Sequence, residues 1–592
     1  MTPAFRLALL WIVGAMIMVM FGLMLAGTSY VNGEYIPANA DAFYHARRIL
    51  DVVLAGHPVQ QFDPKIHVPE GSWITWPWAY DWSMAQITKL FGPFGGVAEA
   101  NRVLMRIPVA ASLLYIGVVL LLARQFGFSF ALTALQVIVV AALPVVYLSF
   151  SVGNIDHHFA EGMWTAFTIC AGIWFFSSRE SLAPAVVLGL VLATAAGVHN
   201  SLFILQIPVA LTFLLRWLQA APLPSRPACV AFAISLTVLT LAVSAPSEPL
   251  RQGFFEFYTL SWFHVYIATC TAAFCAAIGY LPRRTSTVWL VIVAAAVAVS
   301  PIVNVLGFAR EFVSGELESI RDVVEASSPY QLHAEFGEVA STRVYSWLMW
   351  ISAPMVVFNA WLAWKVRDAR IQFFAVAAAL GLVLLQLQFR FHVFGELAMV
   401  ATPVLALHLA QQRWPAQANR ILAAGCIAFL VVMIPTRRNI TTNWTPGGHE
   451  SYRYVAGVFP VMREACAAAP GIVLSNIDSG HWVRYHSDCS VIGNVFLLTP
   501  QHASKALETR TLLGLKPAEL LAASQPVRYV FVYHRLSLAP DEPNLEEWRL
   551  RMRPLESELL GPVDSLPRQY RLLWAAQTPK GQTYARLFEI ER

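Results

Sequence analysis

Charge is scarce in this sequence. Asp, Glu, Lys and Arg make up only 13% of its 592 residues, against about 25% in an ordinary soluble domain. Hydrophobic residues reach 57% and mean hydropathy is +0.55, which leaves too little polar surface to cover a water-soluble protein of this size. A metal-binding cysteine framework is also lacking. The seven cysteines include no CxxC pair, which argues against structural zinc and thioredoxin-like chemistry. There is no P-loop, no Rossmann glycine fingerprint, no internal repeat and no low-complexity tract. The net charge of +5 is carried by scattered basic residues rather than a basic run, so no nucleic-acid partner is expected.

What is present is a series of apolar segments long enough to cross a bilayer. They lie near 7–27, 103–123, 129–150, 160–177, 183–199, 201–216, 228–246, 260–281, 287–307, 344–365, 372–388, 393–410 and 419–435. The fold class expected is therefore a polytopic α-helical membrane protein with about 13 transmembrane helices. The first apolar stretch is too long for a signal-peptide core, so an uncleaved first helix is expected. Residues 1–435 form the membrane domain, interrupted by polar loops at 28–102 and 308–343, and 436–592 form a C-terminal domain. Short β-branched or aromatic runs at Gly471–Asn476, Arg528–Tyr533 and Tyr584–Phe588, with helical stretches at Thr499–Leu513 and Glu546–Glu558, make that domain mixed α/β.

Basic residues in short loops, among them Arg6, Arg124, Arg179, Arg216 and Arg413, favour the cytoplasmic side. That rule places both long loops and the C-terminal domain outside the cell (inner) membrane. Cys466 and Cys489 lie in this polar part and can pair if it is extracytoplasmic. The other cysteines lie in apolar runs, as small buried hydrophobes.

Four polar features stand at the ends of these segments. The first is Asp41-Ala-Phe-Tyr-His-Ala-Arg47, an amphipathic stretch that, taken alone, reads as an interfacial helix with Arg47 and Arg48 near headgroups. The second is Asp156-His-His158-Phe-Ala-Glu161. Two acids and two histidines at a membrane boundary are costly unless they bind or react, and their oxygen and nitrogen donors suit a divalent metal such as Mn²⁺, Mg²⁺ or Zn²⁺. Glu161 can be a ligand, a support to a ligand or a first-turn acid favoured by the helix dipole. The third is Asp322-Val-Val-Glu325 with Pro329, in the second polar loop. The fourth is Gln388-Phe-Arg390-Phe-His392, whose Arg390 can reach lipid headgroups or clamp a substrate phosphate.

Taken in order, these motifs resemble the catalytic subunit of oligosaccharyltransferase, especially its archaeal form, within the GT-C membrane glycosyltransferases. The Asp41 segment is similar to that family's first acidic motif and the Asp-His-His block to its second. Glu325 matches the acid of its large outer loop, and Arg390 the arginine for the lipid-linked phosphate. The family's WWDYG signature is altered here. The aligned stretch, Asn476-Ile-Asp478-Ser-Gly480-His-Trp482, keeps Asp478 and Gly480 without the two tryptophans and the tyrosine.

The resemblance implies transfer of a sugar or oligosaccharide from a polyprenyl phosphate or diphosphate carrier, with the membrane lipid around it. It implies Asp41, Asp156 and His158 as ligands of Mn²⁺ or Mg²⁺, Arg390 at the donor phosphate, Asp41 and Glu325 as catalytic carboxylates, and Glu325 with Asp478 at the acceptor. The acceptor is a protein asparagine or, given the altered signature, a lipid or glycan. A transporter or flippase is a third reading, disfavoured because the ionisable residues gather at one face and the two halves are unalike.

Overall fold

The structure is a computed structural model. It describes residues 2–282, 285, 287–289, 327–337, 341–437, 450–534, 552–578 and 581–591. It confirms a polytopic α-helical membrane protein with a mixed sheet near the C-terminus. Nine helices among the described residues are long and apolar enough to cross a membrane, and Phe130–Ala142 and Leu182–Val198 are shorter apolar helices. Each apolar segment of the sequence coincides with helix. The exception is 287–307, which lies outside the described residues except at 287–289. The 129–150 segment is two helices, Phe130–Ala142 and Pro144–Ser149, broken where Pro144 disfavours the helical backbone at Leu143.

The His158–Ser177 helix is central. Of its most apolar window 83% is buried, against 11% for Pro415–Val432, which faces outward. The neighbouring Ala369–Leu387 and His392–Arg413 helices meet at Gly381 and Gly395. A methyl group at Gly381 would overlap the Phe394 carbonyl, and one at Gly395 the Gly381 carbonyl. Small residues permit such contact where lipid supplies no hydrophobic drive for helix association.

The polar segment at 28–102 is ordered. It forms two hairpins, β1 (Tyr30–Val31) with β2 (Glu34–Tyr35) and β3 (Phe62–Asp63) with β4 (Ser72–Trp73), and the helices Ala40–Leu50, continued by a π-helical turn at Asp51–Ala55, and Trp78–Lys89, with a third, Val97–Leu104, starting at its end. The first of these helices is not the interfacial helix that its composition suggests. Arg48 is fully buried, and Arg47 Nη1 donates to the Arg484 carbonyl at 2.5 Å. Packing against residues from the other end of the chain overrides the amphipathic pattern.

That other end holds a five-stranded sheet: β5 (Ile472–Leu474), β6 (Ser490–Val491), β7 (Val527–Tyr533), β8 (Tyr570–Gln577) and β9 (Thr583–Ile590), in the order β6-β5-β7-β9-β8. β5 runs parallel to β6 and β7, and β9 is antiparallel to β7 and β8. The three runs expected as strands are β5, β7 and β9. β6 is short, and β8 is a half-exposed edge, so neither carries a continuous apolar signal. In β7, Tyr529, Phe531 and Tyr533 face one core and Val530 and Val532 the other. The helix expected at Thr499–Leu513 is Pro500–Leu513. Of the stretch expected at Glu546–Glu558, the described part holds Pro554–Leu559, and 546–551 lie outside the described residues. Cys466 and Cys489 are joined by a disulfide inside this region.

The sheet region is clamped onto the first polar segment. Buried Arg484 pairs with buried Asp63 at 3.2 Å and donates to the Cys489 carbonyl at 2.8 Å, while Tyr44 Oη donates to Asp63 at 2.7 Å. Burial opposes ionisation of Asp63, but Arg484, Arg47 and the Tyr44 hydroxyl together hold its carboxyl below the usual range.

Acid should loosen this clamp. His67 is fully buried, and burial pushes its pKa down to about 4 from 6.5. Between those values the unfolded chain takes up a proton that the folded chain refuses, so stability falls by about 1.4 kcal/mol per pH unit from this residue. Asp63 adds to the loss only at lower pH, as its depressed pKa is crossed. Thermal unfolding in detergent between pH 7 and pH 4 is expected to show the decline, and His67→Gln to make it shallower, the remainder coming from other histidines that burial also pushes down, among them His486 and His502.

Candidate active site

The residues singled out at the ends of the apolar segments converge on one cavity of about 510 Å³. Its wall includes Asp41, Asp156, His158, Glu161, Arg390 and Asp478. Glu325 lies outside the described residues. Ser327, two positions later, accepts from the Phe389 amide at 2.8 Å, one residue before Arg390.

The loop before the central helix is held by main-chain bonds to three other segments. Val152 donates to Gly22, Gly153 donates to Met105 at 2.8 Å, and Ala38 donates to the Gly153 carbonyl at 2.8 Å. Gly153 has φ +83°, a left-handed conformation that favours glycine. A methyl group there would also strike Ser29. Tyr80 Oη donates to the Ile155 carbonyl at 2.6 Å. Asp156 is thus placed by backbone rather than by its own side chain.

Asp156 Oδ1 accepts from the His157 amide at 2.7 Å and stands 2.7 Å from His157 Nδ1. Its Oδ2 stands 3.5 Å from His158 Nε2. Burial alone would raise its pKa, but His157, His158 and His45 outweigh it and hold the carboxyl well below the usual carboxylate range. Burial pushes His157 to about 4, against the opposing pull of Asp156, so its ring is neutral at pH 7.

Asp41 stands in the first turn of Ala40–Leu50, where Asn39 caps the helix by accepting from the Ala42 amide at 2.7 Å. Its Oδ1 is buried with no hydrogen-bond partner among the described residues, 3.5 Å from His481 Nδ1. Gly480 lets the Gly480–His486 helix approach closely, since a methyl group there would strike the Gly493 carbonyl and Asn494. That is a packing reason for a glycine in the altered signature.

The structure adds histidines to the acids. His45, one turn after Asp41, donates or accepts at His157 Nδ1 over 3.1 Å and pairs through Nδ1 with Asp81 at 2.6 Å. Asp81 also pairs with Arg48 at 2.5 Å. His199 Nδ1 stands 2.7 Å from Glu161, and its ring stacks on His157 at 4.1 Å. Two groups therefore have donor atoms within 4.8 Å of one another: His45 with Asp156 and His157, and His157 with Glu161 and His199. His45 sits inside a motif already quoted, and His199 ends an apolar segment, so a polar residue at a span terminus was the available signal.

Acids and histidines of this wall can hold a divalent ion, in the two groups just described. Asp41 lies on the same wall and belongs to neither group. Asp156 Oδ2 and His158 Nε2 are spaced as two ligands of one ion are, about 3.4 Å apart for bonds of ~2.1 Å.

No protein-family model matches the sequence, and neither does any curated protein. Solved structures do match. The archaeal oligosaccharyltransferase AglB from Archaeoglobus fulgidus, in complex with an inhibitory peptide and a dolichol-phosphate, aligns with a TM-score of 0.71 at 15% identity, covering 99% of this chain and 74% of that one. The oligosaccharyltransferase of the same organism tethered to an acceptor peptide containing the NVT sequon gives 0.69 at 15% identity over 100% and 74%. Its complex with Zn and sulfate gives 0.67 at 15% identity over 97% and 72%. The fold is shared across the membrane helices and the sheet region.

The charge chain behind His45 is open to test. Asp81→Ala leaves the buried Arg48 guanidinium without a counter-charge and is expected to destabilise the protein by about 3–5 kcal/mol. Chemical denaturation of wild type and variant measures it. A change near zero would mean that water reaches this layer.

Proposed function

We propose that this chain, which has the fold of an archaeal oligosaccharyltransferase, is a membrane glycosyltransferase. It moves a sugar or oligosaccharide from a polyprenyl phosphate or diphosphate carrier to an acceptor. The observation that carries the reading is the convergence of Asp41, Asp156, His158 and Arg390 on one cavity. The solved neighbours include complexes with a dolichol-phosphate, with an NVT-containing peptide, and with Zn and sulfate, which supports a lipid-linked phosphate donor, a peptide-sized acceptor and a metal in the same fold.

Asp41, Asp156 and His158 would hold the divalent ion, Mn²⁺ or Mg²⁺, which supplies Lewis-acid stabilisation of the leaving phosphate. Arg390 binds that phosphate through paired N–H donors and stabilises the charge it gains as the glycosidic C–O bond breaks. Asp41, and Glu325 by its motif, orient the acceptor nitrogen. If the nucleophile is a hydroxyl, one of these carboxylates takes its proton. Asp478, on the cavity wall, would contact the acceptor. The Cys466–Cys489 disulfide supports an extracytoplasmic sheet region, with the site on the outer side of the cell membrane.

Transfer to a lipid or polysaccharide hydroxyl is the second reading. Asn476 and Ile477 precede Asp478 where the resembling family has tryptophans, so the usual reader of an Asn-x-Ser/Thr acceptor is altered. Purified protein given lipid-linked glycan and an Asn-x-Thr peptide separates the two. Glycopeptide formation supports asparagine, whereas donor consumption with a glycosylated lipid or glycan supports hydroxyl transfer.

Asp156→Ala or His158→Ala is expected to cut divalent-metal-dependent transfer by more than about 100-fold. Full turnover in both removes the metal assignment. Arg390→Ala, losing charged hydrogen bonds of about 1.5–3 kcal/mol, is expected to raise the apparent KM for the lipid-linked donor by about 10–100-fold. An effect on acceptor KM alone contradicts the phosphate role.

A further inference from the structure

We propose that Glu161 is a positioning residue rather than a metal ligand. Its carboxylate fixes the His158 ring so that Nε2, not Nδ1, is the nitrogen offered to the metal. The inference rests on the reading of Asp41, Asp156 and His158 given above and assigns a role to a buried acid that reading leaves unused.

Glu161 and His158 lie three residues apart at the start of the central helix, a spacing that places them on one face. Glu161 Oε2 stands 2.8 Å from His158 Nδ1. The other oxygen, Oε1, stands 2.7 Å from His199 Nδ1 and accepts from Ser201 Oγ at 3.3 Å. Both oxygens of this buried carboxylate are therefore occupied by side-chain donors. An ion bound through either oxygen would compete with an imidazole already held there.

His158 meets a different carboxylate at each nitrogen: Nδ1 faces Glu161, and Nε2 faces Asp156 Oδ2 at 3.5 Å. A neutral imidazole carries one N–H and one lone pair. The 2.8 Å contact is a good hydrogen bond, whereas 3.5 Å is long for one. With the proton on Nδ1, Glu161 is satisfied and the lone pair lies on the Asp156 side. A carboxylate accepting from the far nitrogen of a metal-bound histidine fixes the tautomer and raises the basicity of the ligand. His199, held by the other oxygen and stacked on His157, keeps the carboxylate from rotating toward the cavity.

Equilibrium dialysis of the purified full chain against Zn²⁺ or Mn²⁺, read by elemental mass spectrometry, tests this without any glycan. Wild type is expected to hold one ion at this site, and Asp156→Ala to lose it. Glu161→Gln is expected to keep the ion with affinity lowered about 10–100-fold, and its Co²⁺-substituted form to keep the wild-type ligand-field spectrum. Unchanged affinity, or a Co²⁺ spectrum reporting one ligand fewer, overturns the positioning role while leaving the metal reading in place. Wild type that binds no divalent ion overturns both. Should Glu161→Gln fold poorly, nitrogen NMR of Zn²⁺-loaded, ¹⁵N-histidine wild type decides the same point. The His158 signal, identified by its loss in His158→Asn, is expected to show protonated Nδ1 and metal-bound Nε2. Metal-bound Nδ1 overturns the proposal.

Discussion

A carboxylate taken out of water must find a positive or hydrogen-donating partner, because the desolvation penalty otherwise amounts to several kcal/mol. In this protein that requirement is met in layers. Arg48 neutralises Asp81, and Asp81 holds His45. His45 meets His157, and His157 and His158 surround Asp156. His158 and His199 share Glu161. Remove any member and a buried charge loses its partner, so the chain is kept in register from the Ala40–Leu50 helix to the start of the central membrane helix.

The same requirement explains why the first polar segment is folded rather than loose. Its helix carries Asp41 on the cavity wall and Arg48 in the interior, and the sheet region closes over it through Asp63, Arg484 and Tyr44. Asp41, Asp156, Arg390 and Asp478 thus reach the cavity from four parts of the chain: the first polar segment, the loop before the central helix, the turn at Arg390 and the stretch around Asp478. Rigid backbone supports several of them, as at Gly153 and Gly480, where close approach leaves no room for a side chain. A metal and a phosphate need donors placed within tenths of an ångström, and a site assembled this way has little freedom to drift.

Much of the scaffold is legible in local composition. Apolar segments predict the membrane helices because length and hydropathy act residue by residue, and the break at Pro144 follows from the backbone alone. β7 and β9 are dense in aromatic and aliphatic residues and are read easily, whereas β8 is an exposed edge and is not. The interfacial reading of Ala40–Leu50 misses because its amphipathic pattern is real but the polar face is covered by protein. The partners of Asp156 and Glu161 were only half visible. His157 and His158 adjoin Asp156, but His45 reaches it, and His199 reaches Glu161, from segments that sequence order keeps apart.

The sequence alone determined that this chain lives in a membrane, where its helices run, and that Asp41, Asp156, His158, Glu161 and Arg390 stand at helix ends. Those are consequences of hydropathy and of the cost of charge in lipid, both of which act locally. Only the tertiary structure decided which nitrogen faces which oxygen. That choice gives Glu161 to His158 and His199, gives Asp81 to His45, and leaves Asp41 with a buried oxygen that no hydrogen bond among the described residues satisfies. Hydrogen bonds and ion pairs depend on distances of a few ångströms between segments hundreds of residues apart, and no local pattern encodes those distances.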